Sequence, residues 1–467
     1  MERDTICAIA TAPGGAIGIV RLSGTNTFPI IRHVCRRITA TTPPRTATFT
    51  EILIPSSPAS LSAYDTAPTH PSPSILDEAL VTLFPAPHSY TGEDCAEISC
   101  HGSPYILKKV LELLVGQGCR IANPGEFTQR AYLNGKLDLS QAEAVTDLIA
   151  STNQATHDIA MTQLRGGISN ELAILRDQLL HLTSLLELEL DFADHEDLEF
   201  ADRTELLHLA QTIDERIQHL AHSFETGQAL RNGIPVAIVG KTNVGKSTLL
   251  NALLRDDRAI VSDIHGTTRD TIEETMVIHG VLFRFIDTAG IRNTQDKVEK
   301  IGIDRTLQKI KEARIVIWLL DQRPSLSELD EMRSLSQGKK CIYVHNKVDL
   351  FDMKKFSPYI LPLYMISAKK EEGIESLKEH IYTAAQRAGL TNNSGEVIIT
   401  NARHYDALLR AQQPLANVLN GIQTNISGDL LSEDLRDALN ILAEITGGQI
   451  STSEVLENIF RTFCVGK

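Results

Sequence analysis

The sequence predicts a multi-domain α/β protein with an α+β N-terminal domain, a discontinuous helical bundle domain and an inserted α/β domain. Three observations carry this prediction. Short apolar runs of strand length fill the N-terminal part, leucines at helical spacing lie on both sides of the centre, and the centre alternates apolar strands with helices. The 467 residues also exceed what one hydrophobic core usually organises. We place the domain limits at 1–121, 122–230, 231–383 and 384–467, where the second and fourth ranges form one helical domain.

The composition is that of a soluble globular protein, with 42% hydrophobic and 22% charged residues. The sequence contains no apolar run of about 18 residues, and its first residues carry charges in place of a signal-peptide core. We therefore expect a cytoplasmic protein with no membrane partner. The seven cysteines form no CxxC pair, which argues against a disulfide framework and a structural zinc site. The net charge of −14 argues against a large nucleic-acid surface but leaves room for a local basic patch or for RNA held by a partner.

The N-terminal domain is predicted from strand and helix patterns. Residues 5–22 have the pattern of a strand, a glycine turn and a second strand, and strand character returns at Ala79–Phe84. Between them, residues 55–73 are rich in Pro, Ser, Thr and Ala, which predicts an exposed loop or a long hairpin end. A helix is expected from about Tyr105 to Val115. This order of strands and helices is typical of an α+β domain.

The helical domain is predicted from apolar residues on both flanks of the centre. In the first flank they recur at spacings of three and four, which places on one helix face Leu172, Leu175, Leu179, Leu182 and Leu186. Helical periodicity resumes at residues 202–230, and a second amphipathic face near the C-terminus is made by Leu435, Ala438, Leu439, Leu442 and Ile445. The acidic stretch 187–200 favours a solvated helix end or an interdomain turn over a metal site. Two helical blocks around an α/β domain predict one bundle interrupted by an insertion.

The central domain begins with an apolar strand, a glycine-bounded loop and an apolar helix start, IPVAIVGKTNVGKSTLL at residues 234–250. Gly240–Ser247 match the pattern G-x-x-x-x-G-K-[ST]. Glycines let consecutive backbone N–H groups converge on phosphate oxygens, at a helix N-terminus that favours negative charge. In this pattern Lys246 reaches the β and γ phosphates, and the Ser247 hydroxyl binds Mg²⁺.

Four further motifs follow in the order that a GTPase requires. Thr268 in GTTRD can complete Mg²⁺ coordination, and DTAG brings Asp287 near Mg²⁺ and Gly290 near the γ-phosphate. Asp349 in NKVD can accept from the N1–H and exocyclic amine of guanine, a pair of donors that adenine lacks. The backbone amides of Ser367–Lys369 can meet the guanine carbonyl. Together the five motifs predict GTP binding by Asn243, Val244, Gly245, Lys246, Ser247, Thr248, Thr267, Thr268, Asp287, Thr288, Ala289, Gly290, Asn346, Lys347, Asp349, Ser367, Ala368 and Lys369.

With these motifs in place, the chain resembles the MnmE (TrmE) family of tRNA-modifying GTPases over essentially its whole length. The segments that carry the resemblance are GIVRLSG, SYTGEDCAEISCHGSP, NPGEFTQRAYLNGKLDLSQAEAV, DTAGIR followed by VEKIGI, and the C-terminal FCVGK. FCVGK and NPGEFTQRAYLNGKLDL are far more specific than a phosphate loop. The resemblance implies a folate-binding N-terminal domain, a helical domain built from both flanks and an inserted Ras-like G domain.

The resemblance also implies a folate site in the N-terminal domain. Four residues match positions that would contact 5-formyl-tetrahydrofolate or methylene-tetrahydrofolate, namely Arg21, Glu97, Lys136 and Lys467. Arg and Lys can pair with the carboxylates of such a ligand. Cys464 matches the family's C-terminal cysteine, and we relate it to the modification reaction without assigning it a chemical role. The other cysteines and His101 are interpreted as structural, and a homodimer through the N-terminal domains is implied.

For the G domain, the resemblance implies activation by K⁺ and by dimerisation across the nucleotide face, in place of an arginine finger. Asn243 matches the K⁺-coordinating asparagine, and Glu299 matches the water-orienting glutamate. K⁺ would offset charge that develops between the phosphates. The expected catalytic residues are Glu299, Lys246 and Thr268, the Mg²⁺ ligands Ser247 and Thr268, and the K⁺ ligands Asn243, Ser262, Ile264 and Thr267. Arg269 and Arg292 are assigned to the structure of the switch loops.

The resulting hypothesis is a K⁺-dependent GTPase that acts on the wobble uridine of certain tRNAs with an FAD- and NADH-dependent partner of the MnmG (GidA) family. The two proteins would form a heterotetramer or larger complex and install an aminomethyl or carboxymethylaminomethyl group at C5. Two alternatives stay open: a ribosome-assembly GTPase switch without group transfer, and a folate-dependent aminomethyltransferase whose G domain only regulates. The first should carry a basic RNA-binding domain after the G domain, whereas residues 401–467 are predicted to be helical and are not markedly basic.

Overall fold

The protein forms two compact units in a computed structural model. The structure describes residues 4–54, 74–191, 203–255, 274–286, 308–350, 363–391, 396–448, 459–461, 463 and 466. The first unit lies within residues 1–146 and 446–467, and the second within 147–445. Packing in the first unit therefore extends past residue 121 and includes residues close to the C-terminus. The domain limits given above stay predictions.

The first unit is built on a six-stranded sheet of order β3-β4-β5-β2-β1-β6. Its strands are β1 (Ile6–Ile9), β2 (Ile17–Ser23), β3 (Thr48–Ile54), β4 (Ser74–Phe84), β5 (Cys95–His101) and β6 (Arg120–Ile121). All neighbours pair antiparallel except β1 and β6. The helices are α1 (Thr27–Val34), α2 (Pro104–Gly116), α3 (Glu126–Leu133) and α4 (Leu139–Ala150). These elements confirm the strands and the helix predicted in this part of the chain, while the predicted loop 55–73 lies outside the described residues.

Alternation along β2 decides which side chains reach the polar face of this sheet. Val20 and Leu22 are fully buried in the core that α1 and α2 cover. Successive side chains of a strand point to opposite faces, so Arg21 points away from that core. Its register partner on β5 is Glu97, which shares that face.

The second unit contains both a helical bundle and a second sheet. In chain order its elements are α5 (Gln154–Leu164), α6 (Gly167–Asp191), α7 (Arg203–Asn232), β7 (Ile234–Val239), α8 (Lys246–Leu254), β8 (Glu274–Ile278), β9 (Val281–Phe285), β10 (Ile315–Leu320), α9 (Leu326–Leu335), β11 (Lys340–His345), β12 (Leu363–Met365), α10 (Ile374–Arg387), α11 (Ala402–Gln423) and α12 (Gly428–Thr446). None of the described helices is long and apolar enough to span a membrane.

The bundle is assembled from both flanks of the inserted domain. Apolar side chains of α6, α7, α11 and α12 share one core. All five leucines of the predicted α6 stripe are buried, and Leu435, Leu442 and Ile445 join them from α12. The discontinuous bundle predicted from helical periodicity is thereby confirmed. Residues 192–200 of the acidic stretch lie outside the described residues.

The second sheet has the order β12-β11-β10-β7-β9-β8 and is parallel except for the hairpin of β8 and β9. Its central strand β10 is a run of six buried residues, IVIWLL, as expected for a parallel strand covered on both faces. The carboxyl ends of parallel strands meet at one edge, where ligands of such sheets bind. The predicted phosphate loop follows β7 at that edge, and the NKVD motif follows β11.

Candidate functional site

The phosphate-binding loop runs from the end of β7 to the start of α8 and depends on two glycines. Gly240 and Gly245 have φ angles of 154° and 101°, a region that side chains rarely adopt. A Cβ on Gly240 would lie 2.3 Å from the carbonyl oxygen of Leu319, and one on Gly245 would lie 2.4 Å from Nδ2 of Asn346. The loop therefore requires glycine at both positions, for its conformation and for the close approach of its neighbours.

Lys246 opens α8 and turns its amine back over the loop. Its Nζ donates to the carbonyl oxygens of Gly240 and Lys241, each at 2.7 Å. Burial of the side chain lowers the pKa of Lys246, and the charge of Lys309 lowers it further. The ammonium group and the first N–H groups of α8 lie at the same loop, an arrangement suited to a polyphosphate. Ser247 and Thr248 follow in the first turn of the helix.

Asn346 connects the phosphate loop to the predicted guanine-binding loop. Its side chain donates from Nδ2 to the carbonyl oxygen of Val244 at 2.8 Å and accepts at Oδ1 from the N–H of Ala368 at 2.9 Å. Asn346 is only 3% exposed, and Val244 and Ala368 are buried as well. One neutral amide therefore fixes the distance between the two loops that must bind opposite ends of a nucleotide.

Asp349 has the geometry of a base-reading carboxylate. The Ser367 hydroxyl donates to its Oδ1 at 2.7 Å, and this hydrogen bond keeps the pKa of Asp349 below its ordinary value. Lys347, at a φ of 64°, extends its amine to Asp321 at 2.7 Å, and Lys369 is exposed beside the same loop. An ionised carboxylate can accept from two N–H donors at once, as the edge of guanine requires.

Of the residues predicted to bind GTP, twelve lie in the described part of the chain, in the phosphate loop and the two loops after β11 and β12. They are Asn243, Val244, Gly245, Lys246, Ser247, Thr248, Asn346, Lys347, Asp349, Ser367, Ala368 and Lys369. The other predicted nucleotide, metal and catalytic residues lie outside the described residues: Ser262, Ile264, Thr267, Thr268, Asp287, Thr288, Ala289, Gly290 and Glu299. Arg269 and Arg292 lie there too, as do Cys464 and Lys467 of the tail.

Arg21 and Glu97 form an ion pair on the polar face of the first sheet. Nε and Nη2 of Arg21 both donate to Oε1 of Glu97, at 2.9 and 2.7 Å. Nη1 of Arg21 donates to the carbonyl oxygen of Gly466 at 3.2 Å. The guanidinium carbon lies 5.6 Å from the ring centre of Tyr90 and 5.8 Å from that of Phe127. This group of residues combines a cation, a carboxylate and two aromatic rings.

Lys136 reaches the loop that carries Tyr90. Its Nζ donates to the carbonyl oxygen of Pro87 at 3.1 Å, and the Tyr90 hydroxyl lies 2.9 Å from the hydroxyl of Thr128. Burial raises the pKa of Tyr90, so its phenol stays protonated. Three of the four residues predicted to bind folate therefore lie near the residue 85–94 loop: Arg21 against Tyr90, Lys136 against Pro87, and Glu97 on β5, which follows the loop.

Sequence reasoning missed the buried ion pairs beneath this site. Arg130 donates to Glu93 at 3.1 Å and to Glu126 at 2.9 Å, and all three side chains are at most 11% exposed. Ser23 donates to Glu93 at 2.7 Å and lies 2.7 Å from the Thr91 hydroxyl. The spacing of four between Glu126 and Arg130, which would place both on one face of a helix, was the available signal.

The described cysteines are all free thiols, and five of the six are buried. Burial raises the pKa of Cys35 to about 12. Burial and the negative charge of Asp77 together raise the pKa of Cys100 to about 11. A thiol with a raised pKa is a poor nucleophile at neutral pH. For Cys35 and Cys100 these observations favour a structural role, and for the other cysteines that role stays a prediction.

Comparisons with known proteins identify the family. The model of the MnmE helical domain matches residues 139–464, and that of the GTP-binding protein TrmE N-terminus matches residues 5–136. This chain belongs to the MnmE (TrmE) family. A tRNA modification GTPase MnmE of Phocaeicola vulgatus is 49% identical over 100% of this chain and 99% of its own length. Its counterpart in Bacteroides fragilis is also 49% identical and is covered over its full length, as is this chain.

Membership of the family confirms the predicted multi-domain fold and the predicted GTPase activity. The match extends over both flanks of the inserted domain, as expected for a helical domain built from two stretches. Among solved structures, the G domain of the Thermotoga maritima FeoB iron transporter is 28% identical over 33% of this chain and 99% of its own length, with a TM-score of 0.24.

Proposed function

We propose that this GTPase modifies C5 of the wobble uridine, position 34, in certain tRNAs. The group installed is aminomethyl or carboxymethylaminomethyl, and the reaction requires an FAD- and NADH-dependent flavoprotein of the MnmG (GidA) family. The full-length match to proteins named tRNA modification GTPases carries the proposal. The site geometry supports it, because a phosphate loop bridged to a guanine-type loop occurs in the same chain as a polar site suited to a folate.

In the G domain, the proposed roles follow from the loop geometry. Lys246 binds the β and γ phosphates, and Asp349 accepts from guanine. Ser247 and Thr268 hold Mg²⁺, while Asn243 and the carbonyls of the segment 262–267 hold K⁺. The exposed amide of Asn243 offers an oxygen of the kind that hard cations prefer. Bound there, the two cations would offset negative charge between the phosphates.

Hydrolysis further requires an oriented water molecule, and we assign this orientation to Glu299. The substitution Glu299→Ala should lower the GTPase rate while GTP affinity is retained. An unchanged rate would remove Glu299 from the mechanism. Comparing rates in K⁺ and Na⁺ tests the cation site, since equal rates would refute the K⁺ dependence.

In the first unit, the Arg21 site fits the chemistry of a reduced folate. Arg21 can pair with a ligand carboxylate, the rings of Tyr90 and Phe127 can pack against a flat heterocycle, and Glu97 can accept from its N–H groups. Lys136 and Lys467 add positive charge for the glutamate tail. A bound 5-formyl- or methylene-tetrahydrofolate would supply the one-carbon unit. We relate Cys464 to this site, next in sequence to the tail residues Val465 and Gly466.

The proposed assembly is a homodimer through the N-terminal domains, joined by the flavoprotein in a heterotetramer or larger complex. GTP hydrolysis drives conformational change and does not enter the group transfer. The proposed location is the cytoplasm, because the proposed tRNA substrate is found there.

Nucleoside analysis of tRNA from a deletion strain tests the proposed function. The modified wobble uridine should disappear and should return on complementation with this chain. Unchanged modification would favour a ribosome-assembly switch instead. Complementation with Glu299→Ala tests the other alternative, a folate-dependent aminomethyltransferase whose G domain only regulates. Full restoration of the modification by a variant that has lost GTP hydrolysis would favour that alternative.

A further inference from the structure

One surface of the first unit has the opposite charge to the chain as a whole. Residues 22–50 contain four arginines and a histidine but no aspartate or glutamate, although the net charge of the chain is −14. We call these five residues the arginine patch: Arg32, His33, Arg36, Arg37 and Arg45. All five are exposed.

The fold holds the patch together around the edge strand of the sheet. Arg32 and His33 lie in the last turn of α1. The N–H of Arg36 donates to the carbonyl oxygen of Glu51, and that of Arg37 donates to the Thr50 hydroxyl, each at 3.0 Å, so both arginines lie beside β3. The N–H of Arg45 donates to the carbonyl oxygen of Leu83 at 2.8 Å, on the next strand. These bonds therefore fix Arg36, Arg37 and Arg45 at the β3 and β4 side of the sheet, and Arg32 and His33 lie in the helical turn that leads into them.

Most of this positive charge is uncompensated. Among the residues that the structure describes, Arg37 alone of the patch makes a side-chain ion pair, with Glu51 at 3.0 Å. The side chains of Arg32, Arg36 and Arg45 have no hydrogen-bond or ion-pair partner in the described part of the chain. Three like charges without partners repel one another, and an anion from outside the chain would relieve this repulsion.

Protection of a sheet edge explains only part of the patch. β3 is an edge strand, and charged side chains on such strands hinder pairing with another chain. Arg32 and His33, however, lie in the last turn of α1 and not on the edge strand. Solubility is no explanation either, because the net charge of −14 already keeps such a chain soluble.

Neighbouring side chains favour RNA over an acidic protein or a membrane surface. Arg37 lies over the ring of Phe49 at 5.3 Å, and Phe49 is 44% exposed at the edge of the patch. An exposed ring beside arginines is suited to stacking an unpaired base. Thr39 and Thr41 are exposed in the loop between Arg37 and Arg45, and their hydroxyls are of the type that binds phosphate oxygens.

We propose that the arginine patch binds the phosphate backbone of the tRNA substrate, with Phe49 stacking on an unpaired base. The proposal rests on the proposed function in that tRNA is taken as the substrate. If the proposal holds, this chain itself contacts the tRNA, and the flavoprotein partner need not supply that contact. The binding is electrostatic, so it must weaken with salt in proportion to the phosphates neutralised.

The test measures the affinity of the full chain for fluorescently labelled, unmodified tRNA by anisotropy between 50 and 200 mM KCl. Three variants are compared: Arg32→Gln/Arg36→Gln/Arg45→Gln, the same three positions changed to Lys, and a control with Arg165→Gln/Arg176→Gln/Arg387→Gln at exposed sites of the second unit. The glutamine patch variant should lose at least about tenfold in affinity, and its slope of log K against log salt should fall by about 2 to 3. The lysine and control variants should stay within about threefold of wild type, and all should keep the wild-type GTPase rate.

Three results would overturn the proposal. The first is that the glutamine patch variant binds tRNA like wild type. The second is that the control variant loses as much affinity for tRNA, which would make the effect one of net charge. The third is that the glutamine patch variant loses only its assembly with the flavoprotein, which would assign the surface to an acidic protein. Wobble-uridine analysis separates this failure from that of the proposed function. A strain that carries the glutamine patch variant and keeps full modification refutes the patch alone, whereas a deletion strain that keeps modification refutes the proposed function.

Discussion

The two sheets of this protein hold their candidate sites in different ways. In the parallel sheet, the site residues lie in loops at the carboxyl ends of strands, and the two loops are joined by the neutral amide of Asn346. In the antiparallel sheet, the site residues stand on a sheet face, and buried ion pairs around Arg130 hold the elements that carry them. A neutral bridge and a charged network should respond differently to substitution and to pH. The only tryptophan, Trp318, is buried in the parallel sheet, so its fluorescence reports on that unit alone.

The largest effect is expected from Arg130→Met. The substitution leaves Glu93 and Glu126 buried without their shared cation, which costs about 3–5 kcal/mol in the free energy of unfolding of the first unit. Hydrogen exchange of residues 120–134 should accelerate, while the urea transition seen by Trp318 should not move. The control is Arg120→Met at a 43% exposed side chain, which should cost clearly less. Equal losses would mean that burial does not set the strength of the network.

Asn346→Ala should have the next largest effect, confined to the second unit. The carbonyl of Val244 and the N–H of Ala368 lose their partners, at roughly 1–3 kcal/mol for each buried group left unpaired. We expect GTP affinity to fall roughly 10- to 100-fold, since 1.4 kcal/mol is a factor of ten. A fluorescent GTP analogue measures the change, and Asn417→Ala, at an exposed amide bonded to Asp434, serves as the control. Unchanged affinity would show that the two loops keep their spacing without the bridge.

A pH effect should distinguish the charged network from the neutral bridge. Burial by itself raises the pKa of Glu126, but hydrogen bonds from Arg120, the Asn123 N–H and Arg130 outweigh it and hold that pKa below its ordinary value of 4.5. The stabilisation is therefore complete above pH 4.5 and is lost as the pH falls through the lowered pKa. Urea unfolding of the first unit, followed by hydrogen exchange at several pH values, should show a smaller loss in acid for Glu126→Gln. Identical pH profiles for the variant and wild type would contradict this origin.

The smallest effect is expected for an exposed ion pair of the bundle. Arg410 and Glu444 lie 2.5 Å apart, but their side chains are 45% and 37% exposed. Water screens such pairs, so Glu444→Gln should change the free energy of unfolding by less than about 1 kcal/mol. Urea denaturation followed by far-UV circular dichroism measures this change. A loss as large as that of Arg130→Met would remove the distinction between buried and exposed charges on which the comparison rests.

Local patterns predicted much of what the structure shows. The strand before Gly240 and the helix from Lys246 follow from short apolar runs and from a glycine-bounded loop, each of which depends on residues close in sequence. The leucine stripe of α6 predicted a buried face, and all five leucines are buried. Contacts between distant segments were not predictable in the same way. The Asn346 bridge spans 102 positions to Val244, and the pair of Arg130 with Glu93 spans 37.

By itself, the sequence determined several of the elements, the guanine-type motif set and the family, because period, glycine position and motif order are properties of short segments. Only the tertiary structure decided which side chains share a surface. It placed Arg21 against Glu97 through the register of β2 and β5, and it brought Arg36 beside β3 and Arg45 beside the neighbouring β4. The physical reason is that such contacts depend on strand register and on the packing of helices against a sheet, which the whole hydrophobic core fixes at once.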